Sequence, residues 1–292
     1  MNIVSVLAVL FMTVFYSITS VAHGLPDGSS FIGLKGDRWH AFYVKNGVLE
    51  EAVGVINPQE ISYSNRHKII FFVGDDDKLY EYDISSKKIR SIIFPKNITR
   101  LSQMSLANTA KGEVLYAISL KGGKSRGTDV VAYSVEKRKF DTIHSQRIAV
   151  FEPNIVSGQM VYLGLGCVDM CGLPVQEIWT KTLGKNDAKQ ITLNHEFIKS
   201  PSISLFDKKI YFSMKMKNSV DIWSINFKGE ELVQITNTRG TDTHPHMTGD
   251  GRLYFLRQEG GRVTLLLLEK NRLKEVDAGV LDGIRDVEIG HV

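Results

Sequence analysis

Short apolar runs recur along this chain in a fixed order of three, and that rhythm limits its fold more than any other feature. One set reads Lys68–Val73, Glu113–Ile118, Met160–Leu163, Lys209–Phe212 and Arg252–Leu256. Each is followed by a polar or Gly-containing turn. A second set follows at Leu79–Tyr82, Val130–Tyr133, Ile178–Lys181, Ile222–Ile225 and Val263–Leu266, and a third at Lys88–Ile92, Lys139–Ile143, Gln190–Leu193, Leu232–Thr236 and Leu273–Val276. The runs are strand-length, they alternate, and almost no helical period competes with them. The second-set anchors Leu79, Val130, Ile178, Ile222 and Val263 step by 51, 48, 44 and 41 residues, and Trp39–Tyr43 precedes the first by 40. A step of about 45 residues is the length of one four-stranded propeller blade.

The ends complement each other. Ile284–Val292 supplies one strand, while Ser30–Leu34, Trp39–Val44 and Leu49–Val53 supply three. The expectation is an all-β, six-bladed β-propeller of four-stranded blades, its ring closed by one C-terminal strand joining three N-terminal strands, which removes free sheet edges. Residues 1–22 are read apart from it. Asn2–Ala22 carries no charge, Ile3–Tyr16 is apolar, and Ser20-Val21-Ala22 sets small residues before a cut at His23, the layout of a signal peptide. An uncleaved membrane anchor is the alternative, since the stretch is long enough to span. Residues 23–292 then form a single propeller domain exported to the periplasm. In that oxidising setting Cys167 and Cys171 could close a small local disulfide. A net charge of +4, without a long basic run, does not suit nucleic acid.

The stretch Asp221-Ile-Trp-Ser-Ile225, Gly229, Leu232-Val-Gln-Ile-Thr236, Asp242-Thr-His-Pro245 and Gly249–Phe255 resembles the TolB-type (WD40-like, PD40) propeller repeat. Glu177-Ile-Trp179 with Gln190-Ile-Thr192 is similar to it over a second unit; elsewhere only the strand rhythm is shared. Thr248-Gly249 stands where the family has Ser-Pro. Few residues separate Ala22 from the first strand, so the N-terminal α/β domain of TolB, and its TolA role, are not expected here. Trp179 and Trp223 recur at one position of two units and are read as filling the space between blades.

The candidate binding residues lie on the innermost strands: Asp242, His244, His246, Arg285 and His291. In an extended strand His244 and His246 point to one side and could share a metal with Asp242, although His-Pro is also a structural element of the repeat. Asp75-Asp76-Asp77 crowds three carboxylates into a hairpin, read as solvated rather than as a calcium site. No nucleophile elbow or dinucleotide fingerprint is present, so no catalytic residue and no cofactor are assigned, and metal is left open. The resulting expectation is a monomeric, non-catalytic scaffold for another envelope protein or peptide. A carbohydrate-active enzyme or lectin, with its site at the axial funnel, is the alternative.

Overall fold

The structure is a computed structural model that describes residues 20–21, 24–110, 112–121, 127–146, 149–165, 175–193, 196–278 and 281–290. Its strands run in chain order. The first group is β1 (Ser20–Val21), β2 (Ser30–Lys35), β3 (Arg38–Lys45) and β4 (Val48–Ile56); next come β5 (Glu60–Ser64), β6 (Ile69–Val73), β7 (Leu79–Asp83) and β8 (Lys88–Ser91). They are followed by β9 (Ile98–Thr109), β10 (Gly112–Lys121), β11 (Thr128–Ser134) and β12 (Lys139–Ser145), then β13 (Val150–Val156), β14 (Gln159–Leu165), β15 (Gln176–Thr182) and β16 (Lys189–Gln190). The chain ends with β17 (Ile198–Ser204), β18 (Lys209–Met216), β19 (Ser219–Asn226), β20 (Val233–Gln234), β21 (Thr241–Met247), β22 (Leu253–Glu259), β23 (Arg262–Glu269), β24 (Arg272–Glu275) and β25 (Gly283–Glu288).

Hydrogen bonding groups these strands into five sheets, which corrects the expected six four-stranded blades. Four sheets stand as separate blades: β5–β8, β9–β12, β13–β16, and a five-stranded one in the order β1-β4-β3-β2-β25. The fifth is a single eight-stranded sheet containing β17 to β24, because Val220 of β19 pairs in parallel with Thr241 of β21. Sequence spacing could not foresee that bridge. Nor could it foresee Ser20 and Val21 adding a strand beside Leu49 and Val48. β25 pairs with β2, Ser30 opposite Glu288, so the two ends of the chain share one sheet.

Runs such as Ile69–Val73 are continuously apolar where alternation was expected, because both faces of the sheet are covered. Successive side chains leave a strand on opposite faces. Phe72 joins Ile32, Tyr43 and Tyr63 on one side of its sheet, while Phe71 joins Leu115 and Tyr133 on the other. Tyr211 and Phe212 divide in the same way, as do Tyr254 and Phe255. Each of these rings is less than a tenth exposed, and burial of a side chain of this size contributes roughly 1.5–3 kcal/mol. The core is thus a set of layers between neighbouring sheets. Trp179 stacks on Tyr162 at a centroid distance of 6.4 Å, and Trp223 packs beside Phe212, both between sheets. The innermost strands β5, β9, β13, β17, β21 and β25 touch in that order around a central axis.

Candidate functional site

Five of the six innermost strands carry the same irregularity. Their registers slip at Gln103, Glu152, Ser200, His244 and Asp286, and each of these non-glycine residues has a positive φ, between 46° and 55°. A bulge re-aims a side chain at the cost of a strained backbone, about 1 kcal/mol for a residue with a Cβ. In three of the five the next residue is a proline, Pro153, Pro201 or Pro245, which has no amide to give the ladder and so favours a break there. Glu60, at the start of the remaining strand, stays in register with Val73.

The bulges turn a ring of polar groups onto the axis. They line a cavity of about 290 Å³ together with Glu60, Asn154, His246 and Glu288. The acceptors of this ring reach sideways to the backbone of the next strand. Ile61 N–H donates to Asp286 Oδ2 at 2.7 Å, Met104 N–H to Glu60 Oε2 at 3.0 Å, and Glu152 N–H to Gln103 Oε1 at 2.8 Å. Ser200 N–H donates to Glu152 Oε2. One layer along the axis, Ile203 N–H donates to Asn154 Oδ1 at 2.9 Å and Leu106 N–H to Glu288 Oε1 at 2.8 Å, while Ser62 Oγ donates to the other Glu288 oxygen. These contacts form a polar belt between neighbouring sheets around the axis.

Burial sets the protonation of the belt. It pushes the carboxyls of Glu60 and Glu152 above the usual range, raises Asp286 further with the help of the neighbouring Glu60 charge, and brings Glu288 to about 7. His244 is pushed the other way, down to about 4, by burial and then by Lys199. Its imidazole is therefore neutral at ordinary pH, and its Nδ1 is sealed from solvent without a hydrogen-bond partner.

Two of the residues singled out from sequence, His244 and His246, do share the funnel. Asp242 does not join them. It is fully buried and takes a two-pronged contact from Arg257, Nε to Oδ1 and Nη2 to Oδ2, both at 2.8 Å. Arg285 also turns away, lying 4.4 Å over the Trp39 ring and donating to the Pro58 carbonyl at 2.7 Å. His291, Cys167 and Cys171 lie outside the described residues. Among the described residues no three His, Cys, Asp or Glu side chains are placed to hold a metal, and the Asp242–His244–His246 set fails because Arg257 occupies both Asp242 oxygens. In the Asp75–Asp77 hairpin, Asp76 takes Lys78 and Tyr80 while Asp77 faces Arg100 at 3.2 Å. Sequence reading missed the acids of the belt. Glu152 had a signal, since it stands just before an inner-strand proline as His244 does; Glu60, Asp286 and Glu288 had none of that kind.

No family model and no curated protein sequence matches the chain. Its fold, by contrast, has many structural counterparts. The crystal structure of TolB from Acinetobacter baumannii superposes with a TM-score of 0.63 at 12% identity, covering 90% of this chain and 67% of that one. A putative TolB from Agrobacterium tumefaciens gives 0.64 at 12% identity, covering 86% and 88%. An oligogalacturonate lyase in complex with manganese gives 0.57 at 10% identity, covering 81% and 69%. Similarity at this level concerns fold, and the chain is a β-propeller of the kind found in TolB.

Proposed function

We propose that this protein is an exported, non-catalytic propeller scaffold of the periplasm or cell envelope, and that it holds another protein or a peptide at the mouth of its axial funnel. The observation that supports this is the belt. Asp286, Glu60, Gln103 and Glu152 each spend an oxygen on the amide of the adjoining strand. Groups fixed in this way hold a ring in shape and are poorly placed to act as bases or nucleophiles. Among the described residues His244 Nδ1 has no hydrogen-bond partner, so the acid that orients the imidazole in a Ser–His relay through that nitrogen is not in place. A rigid ring with loops around a polar funnel is well suited to recognition. The exported location rests on the apolar, uncharged N-terminal stretch and its small-x-small cut, which would remove β1 and leave β4 as the outer strand of its sheet.

A second reading, saccharide binding or turnover in the same funnel, is favoured by the meeting of His244, Asp286 and Glu288 in one cavity with shifted protonation. One experiment separates the two. A photo-crosslinking residue is placed at His246, the adduct from intact cells is identified, and binding is repeated with the purified partner. In parallel, the protein is screened for saccharide turnover. A single reproducible partner with no turnover supports the scaffold. Turnover that disappears in His244→Ala would overturn it, as would cell fractionation that leaves the protein in the cytoplasm.

A further inference from the structure

Antiparallel pairing puts the turns of the hairpins β7–β8, β11–β12, β15–β16, β17–β18, β19–β20 and β23–β24 on one face of the ring, the face where the innermost strands end. Each of these turns raises an exposed lysine: Lys87, Lys137, Lys185, Lys208, Lys228 and Lys270 respectively. None of the six has an ion-pair partner among the described residues. Three of them, Lys87, Lys208 and Lys270, hold a positive φ, where Gly or Asn would sit with less strain.

Four aspartates of the same face are engaged within their own turns, while Glu230 and Glu231 in the β19–β20 turn are exposed. Asp83 accepts from Ser86 N–H at 2.7 Å and Asp187 from Thr182 N–H at 2.9 Å. Asp207 takes Ser204 and Tyr211 hydroxyls, each at 2.6 Å, and Asp250 takes Arg252 at 2.9 Å. These four carboxylates stabilise their own turns while the six ammonium groups stand free; the lysines outnumber exposed Glu230 and Glu231, and the face is cationic although the whole chain carries only +4. The opposite face is mixed in charge: Asp37 lies beside Arg38, Asp76 pairs with Lys78, and Lys217 and Arg239 stand there too.

At the centre of the cationic face the charge gives way to apolar surface. Leu205 and Phe206, at the tip of the β17–β18 turn, are 53% and 60% exposed. They stand beside a hollow of about 200 Å³ lined by Ile155, Val156, Ile203 and Met247. Phe206 is seated against Gly251, where an added Cβ would come within 2.8 Å of its ring, so the apolar tip is held outward.

We infer that this face docks on an anionic phospholipid surface, with Leu205 and Phe206 entering the interface and the ring of hairpin lysines lying over the headgroups. The arrangement favours a lipid surface over an acidic protein. The charges are spread over six separate hairpin tips of one face instead of gathering in a groove, and an exposed aromatic-aliphatic pair on that face matches a boundary that is charged outside and apolar within.

The test is vesicle flotation of the full chain, with vesicles of phosphatidylcholine alone and of phosphatidylcholine with about one third phosphatidylglycerol. The proposal expects binding to the anionic vesicles that weakens as salt is raised. Replacing Lys137, Lys208, Lys228 and Lys270 together by Glu should weaken it about tenfold or more, and Leu205→Ser/Phe206→Ser should remove the salt-resistant remainder. Lys217→Glu/Arg239→Glu, on the opposite face, should bind as the parent does. Any attachment through the apolar N-terminal segment is common to all variants and does not depend on salt. Equal binding to neutral and anionic vesicles overturns the proposal, as does unchanged binding by the four-lysine variant with a parent-like thermal melt. Binding to heparin or polyglutamate without any to vesicles also overturns it, and would assign the face to a soluble polyanion.

Discussion

Glu288 gives the sharpest test of the axial belt. Its carboxyl is buried on the axis, accepts from Leu106 N–H and Ser62 Oγ, and titrates near 7 instead of near 4.5. A carboxyl whose pKa is raised by folding is most favourable to the fold when protonated. Its contribution is complete below about pH 4.5 and is lost as pH rises through about 7. At 1.36 kcal/mol per unit the loss is about 3 kcal/mol. Glu288→Gln keeps the acceptor for Leu106 and offers an amide to Ser62, but cannot ionise. Urea unfolding of parent and variant, run at about pH 5 to pH 8, should show the parent losing about 3 kcal/mol more than the variant across that range. The two should be nearest in stability at the acid end. Parallel curves would refute a raised carboxyl pKa at this position, and with it the dry, low-dielectric belt.

Asp242→Ala leaves the Arg257 guanidinium without its buried partner and should cost about 3–5 kcal/mol in urea unfolding; Asp242→Ala/Arg257→Met should recover part of that, and failure to do so would mean that the pair does more than neutralise charge. His244 should show no titration above about pH 5 in ring-proton NMR, since burial holds it near 4; a midpoint near 6.5 would place it in solvent. Gly229→Ala puts a Cβ within 2.5 Å of the Ile191 carbonyl oxygen at a φ of +88°, and should lower stability by about 1–3 kcal/mol, read as a fall in melting temperature. A chain ending at Asp282 lacks β25 and should lose cooperative thermal unfolding, because β2 is then a bare edge beside the buried Phe31.

Strand order was legible because doubly buried strands write themselves as apolar runs, and runs such as Ile69–Val73 sit where the spacing put them. The number of separate sheets was not. It turned on one parallel contact, Val220 with Thr241, which leaves no mark on periodicity. The site was half legible. His244 and His246 announced themselves by chemistry. The belt acids stayed hidden because a bulge shifts the two-residue alternation by one, so Glu152 and Asp286 face the axis out of phase with their own strands. Asp242 misled for the converse reason: it lies before the bulge at His244, and its partner Arg257 comes from the neighbouring strand.

The seam between β25 and β2 also governs how this protein reaches its shape in time. Gly290 N–H donates to Ser29 Oγ across a sequence separation of 261 residues. Contacts so distant along the chain are entropically late and slow folding. Every other sheet can assemble from adjacent hairpins, so the last event is the arrival of the final strand. Until then the half-made ring offers the backbone edge of β2 to any extended segment nearby. Splicing the old termini together and opening the chain at the Gly260-Gly261 turn would turn the slowest contact into a local one. The permuted protein should fold faster than its parent, with much the same ring at the end.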